Sequence, residues 1–143
     1  MFRKILVPVD FTKKNLRAVR IAARVAAGRG ASLTLLHVIE RVDAGDPGGL
    51  TGFYRKLETN ARQKLGELLA AAGRVPASAE VLYGNRVNEI LRFAAEKKID
   101  LIVMSSHRLA MRHPGEHWGT ISHKVGILSR CPVLLVKLRR ERL

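Results

Sequence analysis

Hydrophobic and polar positions follow two patterns along this chain. Short apolar runs alternate with longer stretches that place an apolar residue every third or fourth position. The runs from Arg3 to Val9, Ala31 to Ile39, Ala79 to Tyr83, Ile99 to Met104 and Pro132 to Val136 have the length and near-continuous apolarity of strands buried on both faces. Helical spacing between them predicts helices over about Lys13–Ala27, Phe53–Ala72, Arg86–Lys97 and Thr120–Ser129. Thr12 is placed to cap the first helix, with Leu16, Val19, Ala23 and Ala26 as its apolar stripe and Gly28 or Gly30 as its stop. Leu57, Ala61, Leu65 and Leu68 mark the second, ended by Gly73. Asn85 caps the third, which carries Val87, Ile90, Leu91 and Ala94. Ile121, Val125 and Leu128 line the fourth. Pro8 is awkward inside a strand because it removes a ladder donor, so a strand end or bulge is expected there. Glu40–Gly52, with its Asp46-Pro47-Gly48-Gly49, reads as a mobile loop.

The order is β-α-β-α-β-α-β-α-β, one domain over residues 1–143 with no repeat or linker. Such alternation predicts a parallel sheet with right-handed crossovers and helices on both faces. Ligands of open α/β sheets bind beyond the carboxyl ends of the strands. The stretch from Leu101 to Ile121 therefore stands out. A buried run breaks into Ser105-Ser106-His107-Arg108, a polar loop follows, and Gly119-Thr120 opens the last helix. Strand, loop and helix N-terminus collect phosphates, because first-turn N–H groups and the helix dipole favour negative charge. His107 is a candidate contact for such a phosphate. Asp10 stands at the end of the first strand, as a ligand contact or as a turn-former. Val38 is a candidate wall for a planar ring. His37, alone in its strand, reads as structural.

Composition narrows the class. Of 143 residues, 47% are hydrophobic and 5% aromatic, which suits a packed α/β protein rather than a disordered chain. No apolar run approaches the ~18 residues of a membrane span. No signal-peptide pattern precedes the first strand, and the single cysteine, Cys131, allows no internal disulfide; both fit a cytoplasmic protein. Cys131 reads as an inert core thiol. The 26 Lys and Arg against 12 Asp and Glu give a net charge of +14. That charge is either a solvated basic surface or an attraction for a polyanion. Lys13, Arg17, Arg20 and Arg24 make a cationic stripe on the first helix, but no nucleic-acid recognition motif is present. A P-loop, a dinucleotide fingerprint and a nucleophile elbow are absent as well. His113 and His117 have helical spacing, yet Pro114-Gly115 lies between them and argues against a metal site. Trp118 is expected to pack the loop against the last helix.

Five segments together resemble the universal stress protein family: KILVPVDFT, LLHVIE, GNRVNEIL, IDLIVMSSH and GTISHKV…SRCPVLLVK. The resemblance implies a doubly wound five-stranded parallel sheet of order 3-2-1-4-5, like the adenine nucleotide alpha hydrolases. It also implies a cytoplasmic homodimer paired through the last strand, here Val133–Val136; an exposed apolar edge of that kind tends to be paired. ATP-binding members carry Gly-x-x-Gly, a nine-residue spacer and Gly-Ser or Gly-Thr. Here Ser105 and Arg108 replace the two glycines, the spacer from Leu109 to Trp118 is one residue longer, and Gly119-Thr120 remains. Asp10, Val38 and Met104 match family positions around the adenine and ribose. The implied nucleotide contacts are Pro8, Val9, Asp10, Val38, Met104, Ser105, His107, Arg108, Gly119, Thr120 and Ile121. The implied ligand is ATP or another adenine nucleotide, with Mg²⁺ where phosphates require it. Arg108 either fills the phosphate space or binds phosphate with its fork of donors. No general base is identifiable, so at most slow, incidental ATP hydrolysis is expected. The alternative is a dimeric module that binds no ATP and whose basic surface engages an acidic protein or nucleic acid.

Overall fold

The computed structural model describes residues 2–41, 51–106 and 120–137. Strands β1 (Lys4–Pro8), β2 (Ser32–Ile39), β3 (Ala77–Tyr83), β4 (Leu101–Ser105) and β5 (Val133–Val136) form one parallel sheet of order β3-β2-β1-β4-β5. Helices α1 (Lys14–Ala26), α2 (Thr51–Leu69), α3 (Arg86–Glu96) and α4 (Ile121–Leu128) alternate with them. The expected sheet order and alternation are both present. Pro8 is the last residue of β1, so its missing donor falls at the strand end. Val9 N–H then gives the next bond, to Leu36 O at 2.8 Å.

Alternation along the central strands divides the core into two layers. On one face Ile5, Val7, Leu33, Leu35 and Val103 pack against Ala18, Val19 and Ala22 of α1 and Ala61 and Leu65 of α2. On the other, Leu6, Leu36 and Ile102 pack against Ile90 and Phe93 of α3 and Val125 of α4. β1 is central, pairing Ile5 with Leu33 on one side and with Leu101 on the other.

Several local expectations are corrected. Thr12 does not cap α1; Lys13 holds the N-cap position with helical backbone angles, and the Thr12 hydroxyl is spent on Asp10. The buried row of α1 is Asn15, Ala18, Val19, Ala22 and Ala26, and Leu16 is 39% exposed. The helix is thus turned so that small alanines meet the sheet and Asn15 points inward. α2 begins at Thr51, before the expected Phe53, and its last turn, Ala70–Ala72, tightens to a 3-10 helix before Gly73 at φ +62°. Leu128 is exposed because α4 lies over the sheet's edge, where only Ser122 and Val125 are buried. Cys131 is half-buried at the margin of the α3–α4 layer, not a core thiol, with Ser129 Oγ 3.4 Å from its sulfur. Asn85 caps α3 as expected, accepting Asn88 N–H at 3.1 Å. Most of the Glu40–Gly52 loop, His113, His117, Trp118 and the Leu138–Leu143 tail lie outside the described residues. No described helix is long and apolar enough to cross a membrane.

Candidate functional site

The chain leaves β1 towards β2 and β3, then returns through α3 to β4 on the other side of β1. The strand order therefore reverses at β1, and a crevice opens there beyond the carboxyl ends of the strands. Pro8 at the end of β1 and Val9 and Asp10 just beyond it line the crevice, with Leu36 and Val38 from β2 and Met104 and Ser105 from β4. Asn15 comes from α1, Arg86 and Ile90 from α3, and Ile121 and Ser122 from the first turn of α4. Apolar walls with a few convergent polar groups are the usual makeup of a small-molecule site.

The turn from β1 into α1 is fixed by side chains. Asp10 N–H donates to Oδ1 of the buried Asn15 at 3.0 Å. Asp10 Oδ1 accepts Thr12 N–H at 3.0 Å and the Thr12 hydroxyl at 2.7 Å. Between them Phe11 adopts φ +63°, a conformation that costs energy for a bulky side chain. Its ring is held 4.3 Å from the His37 ring, and Lys64 Nζ lies 5.3 Å from the Phe11 centroid. His37 Nδ1 is 2.9 Å from Val9 O, and a carbonyl only accepts, so Nδ1 carries the hydrogen. Neutral His37 then keeps its lone pair on Nε2. Burial pushes the His37 pKa below its usual value. The Val9 carbonyl opposes this, Arg86 adds to it, Asp10 opposes it and Lys64 adds to it.

Ser105 Oγ, at the end of β4, is buried with no hydrogen-bond partner among the described residues. Thr120 caps α4, accepting His123 N–H on Oγ1 at 3.3 Å. A second cavity of about 290 Å³ adjoins the crevice, sharing Val38 and Arg86 with it and lined also by Phe11, His37, Glu40, Asn60 and Lys64. Glu40 Oε1 accepts Arg86 N–H at 3.3 Å.

Of the residues singled out in the sequence, Pro8, Val9, Asp10, Val38, Met104, Ser105 and Ile121 share the crevice. Thr120 caps the helix whose first turn borders it. His107, Arg108 and Gly119 lie outside the described residues. Sequence reasoning missed Asn15, Leu36, Arg86, Ile90 and Ser122. Asn15 had a readable signal, since a polar residue sits at helical spacing with Ala18, Val19 and Ala22. Arg86 follows the Asn85 cap directly, but nothing in the sequence said that α3 begins beside Val38. No cluster that could hold a metal is present among the described residues.

A doubly wound α/β protein with a mixed apolar and polar crevice at its switch point is the class that this arrangement defines. The model of the universal stress protein family matches residues 1–137, and the chain belongs to that family. It is 34% identical over 140 residues to a universal stress protein of Thermus aquaticus named for the QAH/OAS sulfhydrylase 3′ region, covering 96% of this chain and 100% of that one. It is 32% identical over 150 residues to universal stress protein YxiE of Bacillus subtilis, with the same coverage. Among solved structures, hypothetical protein MJ0577 superposes with a TM-score of 0.81 at 25% identity, over 99% of each chain. Two further structures share the fold. A universal stress protein in complex with cAMP has a TM-score of 0.70 at 22% identity, over 94% of this chain and 97% of that one. One from Archaeoglobus fulgidus in complex with dAMP has a TM-score of 0.70 at 18% identity, over 95% and 98%.

Proposed function

We propose that the protein is a universal-stress-type regulator that binds an adenine nucleotide, ATP- or AMP-like, in the crevice between β1 and β4. The observation that carries this reading is Ser105 Oγ, a buried hydroxyl without a partner among the described residues, in a crevice that also holds Asp10 and the start of α4. A buried polar atom left unsatisfied is costly, and a bound phosphate would relieve that cost. Val38, Leu36 and Met104 offer an apolar wall to a base. The Asp10 carboxylate suits ribose hydroxyls, and Ser105, with the first turn of α4, suits phosphate. Arg108, Gly119 and His107 complete the phosphate end in this reading, with Mg²⁺ accompanying a triphosphate. The cAMP and dAMP complexes of proteins with this fold support an adenine ligand. In this reading the site binds, and any hydrolysis is slow and incidental.

Calorimetric titration with ATP, ADP, AMP, cAMP and dAMP, with and without Mg²⁺, tests the reading. Saturable binding that Asp10→Ala weakens about tenfold to a hundredfold is expected, the worth of a hydrogen bond to a charged group. Absence of binding at about millimolar nucleotide, an affinity of roughly 4 kcal/mol, sinks it. Binding gained only in Arg108→Gly would show that the arginine plugs the site.

The same reading includes a homodimer through β5. This edge strand exposes Leu134 (39%) and Leu135 (40%) beside Ile127 and Leu128 of α4. Unpaired edges invite a second copy. Leu134→Asp should yield a monomer in analytical ultracentrifugation; a wild-type monomer at micromolar concentration refutes this part.

A further inference from the structure

From Phe11 to Ile39 the chain has six Lys or Arg residues and no Asp or Glu. At about 100° per residue, Lys13, Arg17, Arg20 and Arg24 fall within about 60° of one another along α1. The same geometry puts them about 180° from the buried row of Asn15, Ala18, Val19, Ala22 and Ala26. Lys13, Arg20 and Arg24 are exposed and Arg17 is half-buried.

Two cations elsewhere are neutralised on their own helix. Arg62 pairs with Glu58 on α2, and Arg92 with Glu89 and Glu96 on α3. Lys13, Arg17, Arg20 and Arg24 join no ion pair among the described residues, and Arg17 Nε is buried without an acceptor there. The arrangement works against the helix itself. Like charges three and four residues apart repel, and Lys13 and Lys14 oppose the dipole at an N-terminus that has no acidic residue in its first turn. A merely solvated face would tolerate mixed signs, as α2 and α3 do.

We infer that the outer face of α1 docks the phosphodiester backbone of a nucleic acid, without sequence preference. The four cations form a row about 16 Å long with successive members about 5–6 Å apart. Three of the four are arginines, whose planar fork matches phosphate oxygens. A duplex presents one charge about every 1.7 Å of its axis whatever its sequence, so a partner row is always available. An acidic protein would have to supply carboxylates at matching spacing on one face. This surface faces away from the side of α1 that carries Asn15, so it stands or falls independently of the nucleotide reading.

The test is fluorescence anisotropy of a labelled mixed-sequence DNA duplex with the full chain, between about 50 and about 200 mM salt. Four phosphate contacts predict a slope of log affinity against log salt of about −3.6. Arg20→Gln/Arg24→Gln should make the slope shallower by about 1.8. Lys97→Gln/Lys124→Gln removes the same charge from the C-cap of α3 and from α4, on the other face of the sheet, and should leave the slope unchanged. These positions are exposed, so both double variants should keep the wild-type melting temperature. Three results overturn the inference: no binding at the lowest salt, equal loss of slope in both double variants, or displacement of the duplex by polyglutamate at equal charge.

Discussion

Asn15→Ala tests whether one buried amide holds the rim of the crevice. Asn15 is 2% exposed, and its Oδ1 accepts Asp10 N–H at 3.0 Å. Truncation removes that acceptor from a half-buried donor and leaves a small void. An unsatisfied buried donor costs about 1–3 kcal/mol. A domain of this size loses about 3 °C of melting temperature per kcal/mol, so a fall of about 3–10 °C is expected by calorimetry. Thr12→Val is the matched control. It deletes the 2.7 Å bond to Asp10 Oδ1 at an exposed position, where water replaces the lost partner, and should cost less than about 0.5 kcal/mol. Nucleotide titration of Asn15→Ala then reads the positional effect, because Asp10 loses its anchor while keeping its carboxylate. If Asn15→Ala melts within about 1 °C of wild type, the turn is held by something other than this bond, and the argument for Asn15 fails.

Other expectations concern single positions. Gly73→Ala should destabilise the protein by about 1–3 kcal/mol in urea unfolding, through backbone strain alone: φ is +62° and ψ −123°, and an added Cβ would meet nothing within 4 Å. A neutral outcome would mean that the chain re-forms the end of α2 differently. Asn85→Ala removes the side-chain acceptor of Asn88 N–H and should cost about 0.5–2 kcal/mol by the same measurement, with unchanged stability ruling out a working cap. His37 has a folded pKa below its ordinary 6.5, chiefly through burial, so the unfolded chain binds the proton more readily. Its contribution is therefore fully favourable above 6.5, declines as pH falls from 6.5 through the folded pKa, and is constant below it. His37→Gln should flatten that part of the stability–pH curve, and an unchanged curve would show that His37 does not titrate there.

The frame was legible because apolar runs and helical spacing encode it directly. Leu101–Met104 is buried from end to end and Leu33–Ile39 at every position but Thr34 and His37, and the alternation of such runs with amphipathic helices leaves few topologies. Asp10, Val38 and Ser105 were legible through their place at strand ends. Helix rotation was not. Leu16 and Asn15 are neighbours, and hydrophobicity alone favours Leu16 inward; the bond from Asp10 N–H and the small alanines against the sheet reverse this. Thr12 looked like a cap because its type and position suit one, but the helix starts one residue later and its hydroxyl instead donates to Asp10 Oδ1. Arg86, Ile90 and Ser122 reach the crevice only through the packing of α3 and α4 on the sheet, which no local pattern carries.

The central place of β1 has a kinetic consequence. β1 meets β2 after a short excursion, but its other partner, β4, lies about two-thirds of the chain away, with Ile5 beside Leu101. Asp100 reinforces that distant seam, accepting Arg3 N–H at 2.9 Å and Lys4 N–H at 3.2 Å. Closing so long a loop costs entropy before any contact returns it, so long-range pairings of this kind form slowly. The β1–β4 seam is thus expected to assemble late, after the β1-α1-β2 unit, and the crevice at its far end with it. A compound held across that seam would then act chiefly as a brake on unfolding. In a growing cell, that would let ligand supply set how long each copy survives proteolysis.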